Sequence, residues 1–346
     1  MWNYNKLQDK QKEFIEKSKK RFYQTIKKKQ SLFKAWDKLV DTRVDGRVFK
    51  SEKHFQDFKD RCLSCGSFLE FKVGTTTDKI QLQKANFCKK HLVCASCAVG
   101  RAYNQQKKFL QLLEVYPYEH GDDLLQKNWY YIVTPVRHSE DMGLLEVFNL
   151  VDKIRKSALM QMRNSKRGMS SGFWSAFNGG MGSVEVTHTQ NGWNVHINWL
   201  VNSDKEIELR EIFDRNNKKW YQNDDLSRFL ERFNDSYIHS ISKLSFNDRD
   251  EIRKNLLEVF KYSLKFSSLM SFDLIEVYYT LYRRRLFFTF GNLRGMDLEA
   301  VDDVRLGDDF EEKEEFITMI YERLENSKYV LGVIFDKDKN IVYKEK

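Results

Sequence analysis

Hydrophobic and polar positions repeat along this chain with two different periods. Residues 144–162, LLEVFNLVDKIRKSALMQM, place apolar side chains every three or four positions, which predicts an amphipathic helix. Residues 129–136, WYYIVTPV, are almost continuously apolar and predict a buried strand. Residues 181–189 and 192–201 alternate every second position around an Asn-Gly pair at 191–192, so they predict a β-hairpin.

The second strand of this hairpin carries candidate chemistry. Asn194, His196 and Asn198 alternate with apolar residues and therefore share one face, and strand pairing can bring Glu185 beside His196. An imidazole, a carboxylate and amide oxygens suit Mg²⁺ or Mn²⁺, with His188 as a further candidate imidazole. The alternative is the solvated face of an ordinary hairpin.

A second candidate lies in residues 254–266, KNLLEVFKYSLKF. At helical spacing Glu258, Lys261, Tyr262 and Lys265 share one face, opposite an apolar stripe. A tyrosine used as a nucleophile needs a nearby base or positive charge, and this face offers both. The alternative is the wet side of an amphipathic helix.

Five cysteines lie within one tenth of the chain, and their spacing indicates metal binding. Two Cys-x-x-Cys pairs predict a closed structural zinc site made by Cys62, Cys65, Cys94 and Cys97. Cys88 and His91 offer an alternative local set with Cys94 and Cys97, and reduced cysteines in a core are the third interpretation. The predicted role of the site is to present the adjacent basic residues Lys89, Lys90 and Arg101.

Composition favours a polyanionic partner. The chain has 346 residues, 41% of them hydrophobic, and a net charge of +9. Residues 17–34 form a basic, aromatic-rich segment that could lie along a phosphate backbone as a helix or simply be a solvated helix. Residues 302–315 are rich in acid and predict a tail that avoids DNA. No run of about 18 apolar residues occurs, so we expect a cytoplasmic protein without a membrane partner.

Several motifs in this order resemble the replication initiators of small rolling-circle plasmids, in the HUH endonuclease superfamily. The resemblance runs from about Cys62 to Met296 and rests on a cysteine cluster, a threonine strand, a Glu-hydrophobic-Thr strand, a histidine strand, a tyrosine helix and a basic strand. The matching residues are Phe87, Cys88, His91, Cys94 and Cys97; 131–136; 185–187; 194–198; Glu258, Lys261, Tyr262 and Lys265; and 283–291, which begins with Arg283, Arg284 and Arg285.

The resemblance implies a fold, a reaction and partners. The fold is α+β, a central antiparallel sheet in β-α-β-β-α-β order of the HUH or RRM type, with helices on one face. Tyr262 would nick single-stranded or hairpin origin DNA, with Mg²⁺ or Mn²⁺ held by His196, Glu185 and Asn198 and with Zn²⁺ as the structural metal. Glu258 would activate the terminating water, and the lysines would neutralise phosphorane charge. A host helicase and polymerase would follow, in a bacterial cytoplasm and from a plasmid or phage gene.

The chain departs from the family at the histidine strand. Asn194 and Asn198 replace two histidines and Val195 replaces a proline, so the metal site loses two imidazoles. Two alternatives to a replication initiator remain: a zinc-dependent DNA-binding protein with an inactive nuclease site, or an HUH relaxase or transposase that uses the same chemistry on different DNA. The predicted division is a basic helical region at 1–58, a zinc module at 59–108, a nickase domain at 109–296 and an acidic tail at 297–346.

Overall fold

The structure is a computed structural model. It describes residues 6–39, 48–120, 124–136, 140–169, 172–207, 210–213, 219–222, 229–230, 232–233, 240–244, 256, 269–296, 306–307, 313–324 and 328–344. The helices of these ranges are α1 (Asp9–Trp36), α2 (Glu52–Leu63), α3 (Ala95–His120), α4 (Leu144–Ser165) and α5 (Ser271–Leu281). Short 3-10 turns span Leu124–Gln126 and Phe173–Ala176.

The strands form three antiparallel sheets. They are β1 (Phe68–Gly74), β2 (Ile80–Ala85), β3 (Asn128–Pro135), β4 (Gly179–Thr189), β5 (Gly192–Ser203), β6 (Arg210–Phe213), β7 (Lys219–Gln222), β8 (Ser240–Leu244), β9 (Phe287–Gly291), β10 (Leu306–Gly307), β11 (Phe316–Arg323), β12 (Tyr329–Phe335) and β13 (Ile341–Lys344). The orders are β10-β2-β1-β11-β12-β13, β8-β3-β5-β4-β9 and the pair β6-β7. The fold is therefore α+β, as the sequence predicts.

The chain divides into two compact units. The first unit comprises residues 1–104, 270–278 and 301–346, and the second comprises 105–269 and 279–300. The first unit contains the six-stranded sheet together with α1 and α2. Apolar residues at helical spacing bury one side of α1, where the Trp36 ring lies 5.5 Å from Phe55 and 5.4 Å from Tyr278 between centroids. These aromatic contacts fix α1 against α2 within this unit.

The C-terminal residues correct the predicted division. Residues 297–346 were expected to be an acidic tail, but within them β11, β12 and β13 form a continuous part of a sheet. β11 pairs along its whole length with β1, from Phe68 opposite Glu322 to Gly74 opposite Phe316. Ile317, Met319 and Tyr321 alternate along β11 and are buried, so this segment has the period of a strand with one buried face. The prediction of a tail is wrong here because the acidic run ends at Glu315, before this alternation begins.

The second unit is organised around the five-stranded sheet. β3, α4, β4 and β5 occupy the ranges that hydrophobic periodicity predicts, and the Asn-Gly turn joins β4 to β5. α4 is buried along its apolar stripe, and the Arg155 guanidinium of that helix lies 5.2 Å from the Phe288 ring centroid of β9. Trp199 of β5 is fully buried and donates from Nε1 to Thr134 Oγ1 of β3 at 2.8 Å. Odd- and even-numbered positions of β5 therefore face opposite sides, and the Trp199 side is the apolar one.

Two close approaches along β4 require glycine. A Cβ at Gly182 would lie 2.4 Å from the Phe288 ring, and one at Gly180 would lie 2.2 Å from the Leu200 carbonyl oxygen. Both distances are shorter than van der Waals contact, so the sheet packs closely at this end.

Candidate functional site

Four buried cysteines come together in the first unit. Cys65, Cys88, Cys94 and Cys97 each present a sulfur, and the four sulfurs all lie within 4.8 Å of one another. The Sγ of Cys65 is 3.7 Å from that of Cys94 and 3.8 Å from that of Cys97, and the Cys88 and Cys97 sulfurs are 3.5 Å apart. Four thiolates at these separations could hold a metal ion such as zinc.

This set corrects both predicted ligand sets. Cys62 lies in the last turn of α2 and is fully buried, but its sulfur is not among the four that converge; Cys88 takes that place. His91 is also outside the group, because its ring nitrogens lie 2.9 and 3.2 Å from Nη1 of Arg101. The centre therefore combines one cysteine of the first knuckle with three of the local C-terminal set.

The local backbone explains this choice. Cys65 follows the end of α2, and the next residue, Gly66, has a φ of +72°, which turns the chain into β1. Cys88 follows β2, and Lys89 adopts a φ of +58°. The amide of Cys94 donates to the Lys90 carbonyl, and α3 begins immediately afterwards, so Cys97 lies in the first turn of that helix. A turn, a strand end and a helix start thus bring four sulfurs together.

Electrostatics within the group favour ionisation of Cys65 over that of the other three cysteines. Hydrogen bonds from the thiols of Cys88, Cys94 and Cys97 lower the pKa of Cys65. The hydrogen bonds with Cys65 and the burial of the site raise the pKa of Cys94 and of Cys97. For Cys88, a hydrogen bond with Cys62 is the largest cause that raises the pKa, to about 12. One thiolate is stabilised at the expense of the others, so ionisation of all four requires a cation.

A buried lysine lies beside these sulfurs. Lys29 of α1 is 1% exposed, and its Nζ donates to the Cys62 carbonyl oxygen at 2.6 Å and approaches Cys94 Sγ at 3.6 Å. Burial lowers the pKa of Lys29, but the charges of the cysteines, Cys94 first, outweigh burial and leave the pKa raised. One turn earlier, Thr25 Oγ1 lies 2.9 Å from Ser96 Oγ. Two side chains of α1 therefore contact the segment that carries Cys94 and Cys97.

Lys29 was not predicted from the sequence as a functional residue, although its position in the helix gives a signal. Phe22, Ile26, Phe33 and Trp36 mark the buried stripe of α1 at helical spacing, and Lys29 falls on the same stripe. A lysine at a core position needs a negatively charged partner. The thiolates of the cysteine cluster are candidates for that partner.

A second polar cluster lies on β3, β4 and β5 in the second unit. Glu185 pairs in register with His196, and its Oε2 lies 3.2 Å from His196 Nε2 and accepts from Asn198 Nδ2 at 3.2 Å. The Tyr131 hydroxyl donates to Asn198 Oδ1 at 2.8 Å. Glu185 is 5% exposed and Asn198 is 2% exposed, so these two side chains are buried, whereas His196 and Tyr131 are half-buried. Tyr131 is a member that the sequence analysis did not identify.

His188 does not join this cluster. Side chains alternate along β4, so Glu185 and Thr187 face one side and His188 the other. The His188 ring stacks on Trp193, its partner in the hairpin, at 4.3 Å between centroids. The suggestion that His188 supplies a second imidazole is therefore wrong in this register.

The candidate nucleophile lies outside the described residues. Tyr262, Glu258, Lys261 and Lys265 all fall in residues 257–268. Leu256 of the same predicted helix is described, and it is helical and fully buried. The apolar stripe that begins at Leu256 thus has at least one buried member.

The predicted DNA-binding residues are partly exposed. Lys89 and the three residues Arg283, Arg284 and Arg285 are exposed, whereas Lys90 and Arg101 are half-buried. The Arg284 guanidinium lies 5.0 Å from the Phe148 ring centroid, and the Arg283 guanidinium lies 5.3 Å from that of Tyr282. Arg101 is bonded to His91, as described above, so its charge is partly engaged.

No protein-family model matches the chain, and no curated protein and no solved structure matches it. The likeness to rolling-circle initiators therefore rests on the motifs alone. Among the helices of the described ranges, none is long and apolar enough to cross a membrane.

Proposed function

We propose that the chain is a rolling-circle replication initiator that nicks one DNA strand by tyrosine transesterification. The observation that carries the proposal is the hydrogen-bonded cluster of Glu185, His196 and Asn198 on the hairpin strands, in which Glu185 and Asn198 are buried. The order of β3, α4, β4 and β5, with β5 between β3 and β4 in the sheet, supports an HUH-type arrangement of these strands. A net charge of +9 favours a nucleic acid as the partner.

In the proposed reaction Tyr262 is the nucleophile. Its phenolate oxygen attacks the scissile phosphorus, the bond to the 3′-oxygen breaks, and that oxygen leaves as a 3′-hydroxyl after gaining a proton. The DNA then carries a 5′-phosphotyrosyl bond to the protein. Lys261 and Lys265 stabilise the charge of the pentacovalent phosphorus. Glu258 activates the water whose attack releases the 5′ end.

The hairpin residues have the donor chemistry for a hard divalent cation. Glu185 offers a carboxylate, His196 an imidazole and Asn198 an amide oxygen, a set suited to Mg²⁺ or Mn²⁺. When bound, the cation polarises a phosphate oxygen of the scissile bond. The cluster itself holds the imidazole ring in place, because Glu185 bonds to its Nε2.

The basic and cysteine-rich residues of the first unit have a separate task in this proposal. Zinc at the cysteine centre fixes the segment that carries Lys89 and Lys90, which contact phosphates of duplex origin DNA. The nick itself requires an unpaired strand, so the origin is presented as a hairpin loop or melted segment. A polymerase extends the free 3′ end, and a helicase opens the duplex ahead of it.

The test is a denaturing-gel assay with labelled single-stranded oligonucleotides tiled across the DNA that flanks the gene. With Mn²⁺ or Mg²⁺ we expect a DNA-linked protein band that is lost in EDTA and in Tyr262→Phe. The matched control is Tyr343→Phe, the same change at a half-buried tyrosine of β13, which should leave the band intact. Equal adduct in Tyr262→Phe would refute the nucleophile.

One observation favours a second candidate function, a zinc-dependent DNA-binding protein without nuclease activity. Asn198 and His196 both bond to Glu185 Oε2, and Asn198 Oδ1 also accepts from Tyr131, so these side chains pair with one another without an ion. Such a network can serve the core of the sheet alone. In the same assay this candidate predicts retention of DNA on a native gel with no adduct under any metal, an outcome that would refute the nickase.

A further inference from the structure

Lys29 is buried, and a buried ammonium group needs a negatively charged group close to it. Its side chain is 1% exposed, although other lysines of the same helix, including Lys27 and Lys34, are exposed to solvent. Removing an ammonium from water is unfavourable unless opposite charge replaces the lost hydration. The contact at 2.6 Å is with the Cys62 carbonyl oxygen, which carries no net charge.

The charge that faces Lys29 is supplied by cysteine sulfurs. Among the described residues no carboxylate forms an ion pair with Lys29, and the contacts of its Nζ are with the Cys62 carbonyl oxygen and the Cys94 sulfur. The sulfur within reach is that of Cys94, 3.6 Å from Nζ, which is a normal distance for an ammonium N–H donating to sulfur. Cys94 is at the same time one of the four converging cysteines. The ammonium and the thiolate cluster therefore account for each other's burial.

The cluster has a charge imbalance that Lys29 can reduce. Four thiolates around a divalent cation carry a net charge of −2, and a buried site pays for each uncompensated charge. One ammonium against one sulfur brings the net charge of the buried group to −1. Thr25, one turn away on the same face of α1, bonds to Ser96 between Cys94 and Cys97, so the lysine is held in register with its sulfur.

We propose that Lys29 is a positioning residue of the cysteine metal centre, which balances the charge of the four thiolates and fixes Cys94 through an N–H···S hydrogen bond. The basic helix α1 is by this means part of the metal site. This role does not depend on the nickase proposal, because it concerns the affinity and electronic state of the centre and no reaction on DNA.

The test compares Lys29→Met with Lys27→Met in the full chain. Methionine keeps the length of the side chain and removes the charge and the donor, and Lys27 is an exposed lysine of the same helix. Zinc affinity is measured by competition with a chromophoric chelator. We expect Lys29→Met to bind zinc about 10- to 100-fold more weakly, as is typical when a partner of a metal ligand is removed. Lys27→Met should bind zinc like the natural chain.

A second readout separates this role from simple packing. With Co²⁺ in place of zinc, the sulfur-to-cobalt charge-transfer band reports the energy of the sulfur lone pairs. Loss of a hydrogen bond raises that energy, so the band of Lys29→Met should move to longer wavelength, with Lys29→Gln, a neutral donor, in between. An unchanged band together with unchanged affinity in Lys29→Met would overturn the proposal.

A labelling experiment on the natural chain keeps the proposal testable if both variants fail to fold. In the zinc-loaded protein an amine-acylating reagent should modify Lys27 and leave Lys29 unmodified. After removal of zinc by a chelator, Lys29 should become reactive. Modification of Lys29 at the rate of Lys27 in the zinc-loaded protein would show that the ammonium is not held at the centre and would overturn the proposal.

Discussion

Replacing Cys88 and Cys62 separately by alanine tests whether the four converging cysteines, and not the two Cys-x-x-Cys pairs, bind zinc. Both cysteines are buried, at 1% and 0% exposure, and both lie close to the cluster, so the two changes are matched in size and setting. Only Cys88 belongs to the converging four. We expect Cys88→Ala to lose tight zinc binding and Cys62→Ala to keep it.

The expected magnitudes follow from geometry and from the energy of zinc sites. A Zn–S bond of about 2.3 Å gives a tetrahedral S···S edge of about 3.8 Å, close to the 3.5, 3.7 and 3.8 Å separations observed. Structural zinc is worth roughly 10–16 kcal/mol over four ligands, or about 3 kcal/mol per thiolate. Loss of one ligand should weaken zinc binding at least about 100-fold. Cys62→Ala should cost only about 1 kcal/mol of folding free energy, through lost burial.

The assay is zinc stoichiometry after dialysis against a chelator of known affinity, followed by thermal unfolding with and without added zinc. The natural chain and Cys62→Ala should each retain one zinc and unfold at a higher temperature when zinc is present. Cys88→Ala should retain little zinc and show a much smaller shift. If Cys62→Ala loses zinc and Cys88→Ala keeps it, the ligand set described above is wrong and the original Cys-x-x-Cys prediction is right.

Three further predictions concern stability. Gly182→Ala should cost about 1–3 kcal/mol in urea unfolding, because the new methyl group meets the Phe288 ring; an unchanged midpoint would contradict this close packing. Burial, aided by nearby positive charge, lowers the pKa of His91 from 6.5 to about 4, so the unfolded chain takes up this proton first and stability falls as the pH drops from 6.5 towards 4. At pH 5 the natural chain should have lost roughly 2 kcal/mol of unfolding free energy through His91, and the His91→Asn variant should not show this loss. An equal decline of stability in the natural chain and in the variant would refute the prediction. Tyr131→Phe should cost about 1–2 kcal/mol by removing the donor to Asn198, whereas a change below about 0.5 kcal/mol would mean that the amide finds another partner.

The elements that the sequence predicts well are those with a local signal. The Asn-Gly turn fixes the β4–β5 hairpin, and its register places Glu185 opposite His196, as predicted. The apolar run of β3 and the 3.6-residue period of α4 were equally clear. In each case the signal comes from residues within about twenty positions of one another, and the predicted element forms in the structure.

The errors concern contacts that spacing alone does not determine. Cys62 and Cys65 are three residues apart, but α2 ends between them, so Cys65 joins the four converging sulfurs whereas Cys62 stays beside them, next to Cys88. Lys29 contacts Cys62 and Cys94, which lie far from it in the sequence. The strands after residue 315 were overlooked because an acidic run precedes them, although the alternation in β11 is regular. The ligand set, the partner of Lys29 and the C-terminal strands thus depend on contacts between residues distant in sequence, which local charge and spacing do not predict.

The pairing of β1 with β11 has a consequence for the order in which the protein can fold during synthesis. Phe68 leaves the ribosome long before its partner Glu322, whereas the strands of the five-stranded sheet all lie between those two residues. During synthesis of the second unit, β1 and the cysteines are therefore already present, but β11, the partner strand of β1, is not. A chaperone that shields an unpaired strand edge, or early binding of zinc, would protect β1 until β11 is synthesised. A chain held on a ribosome stalled before residue 316 should be cut by proteases preferentially within its first hundred residues.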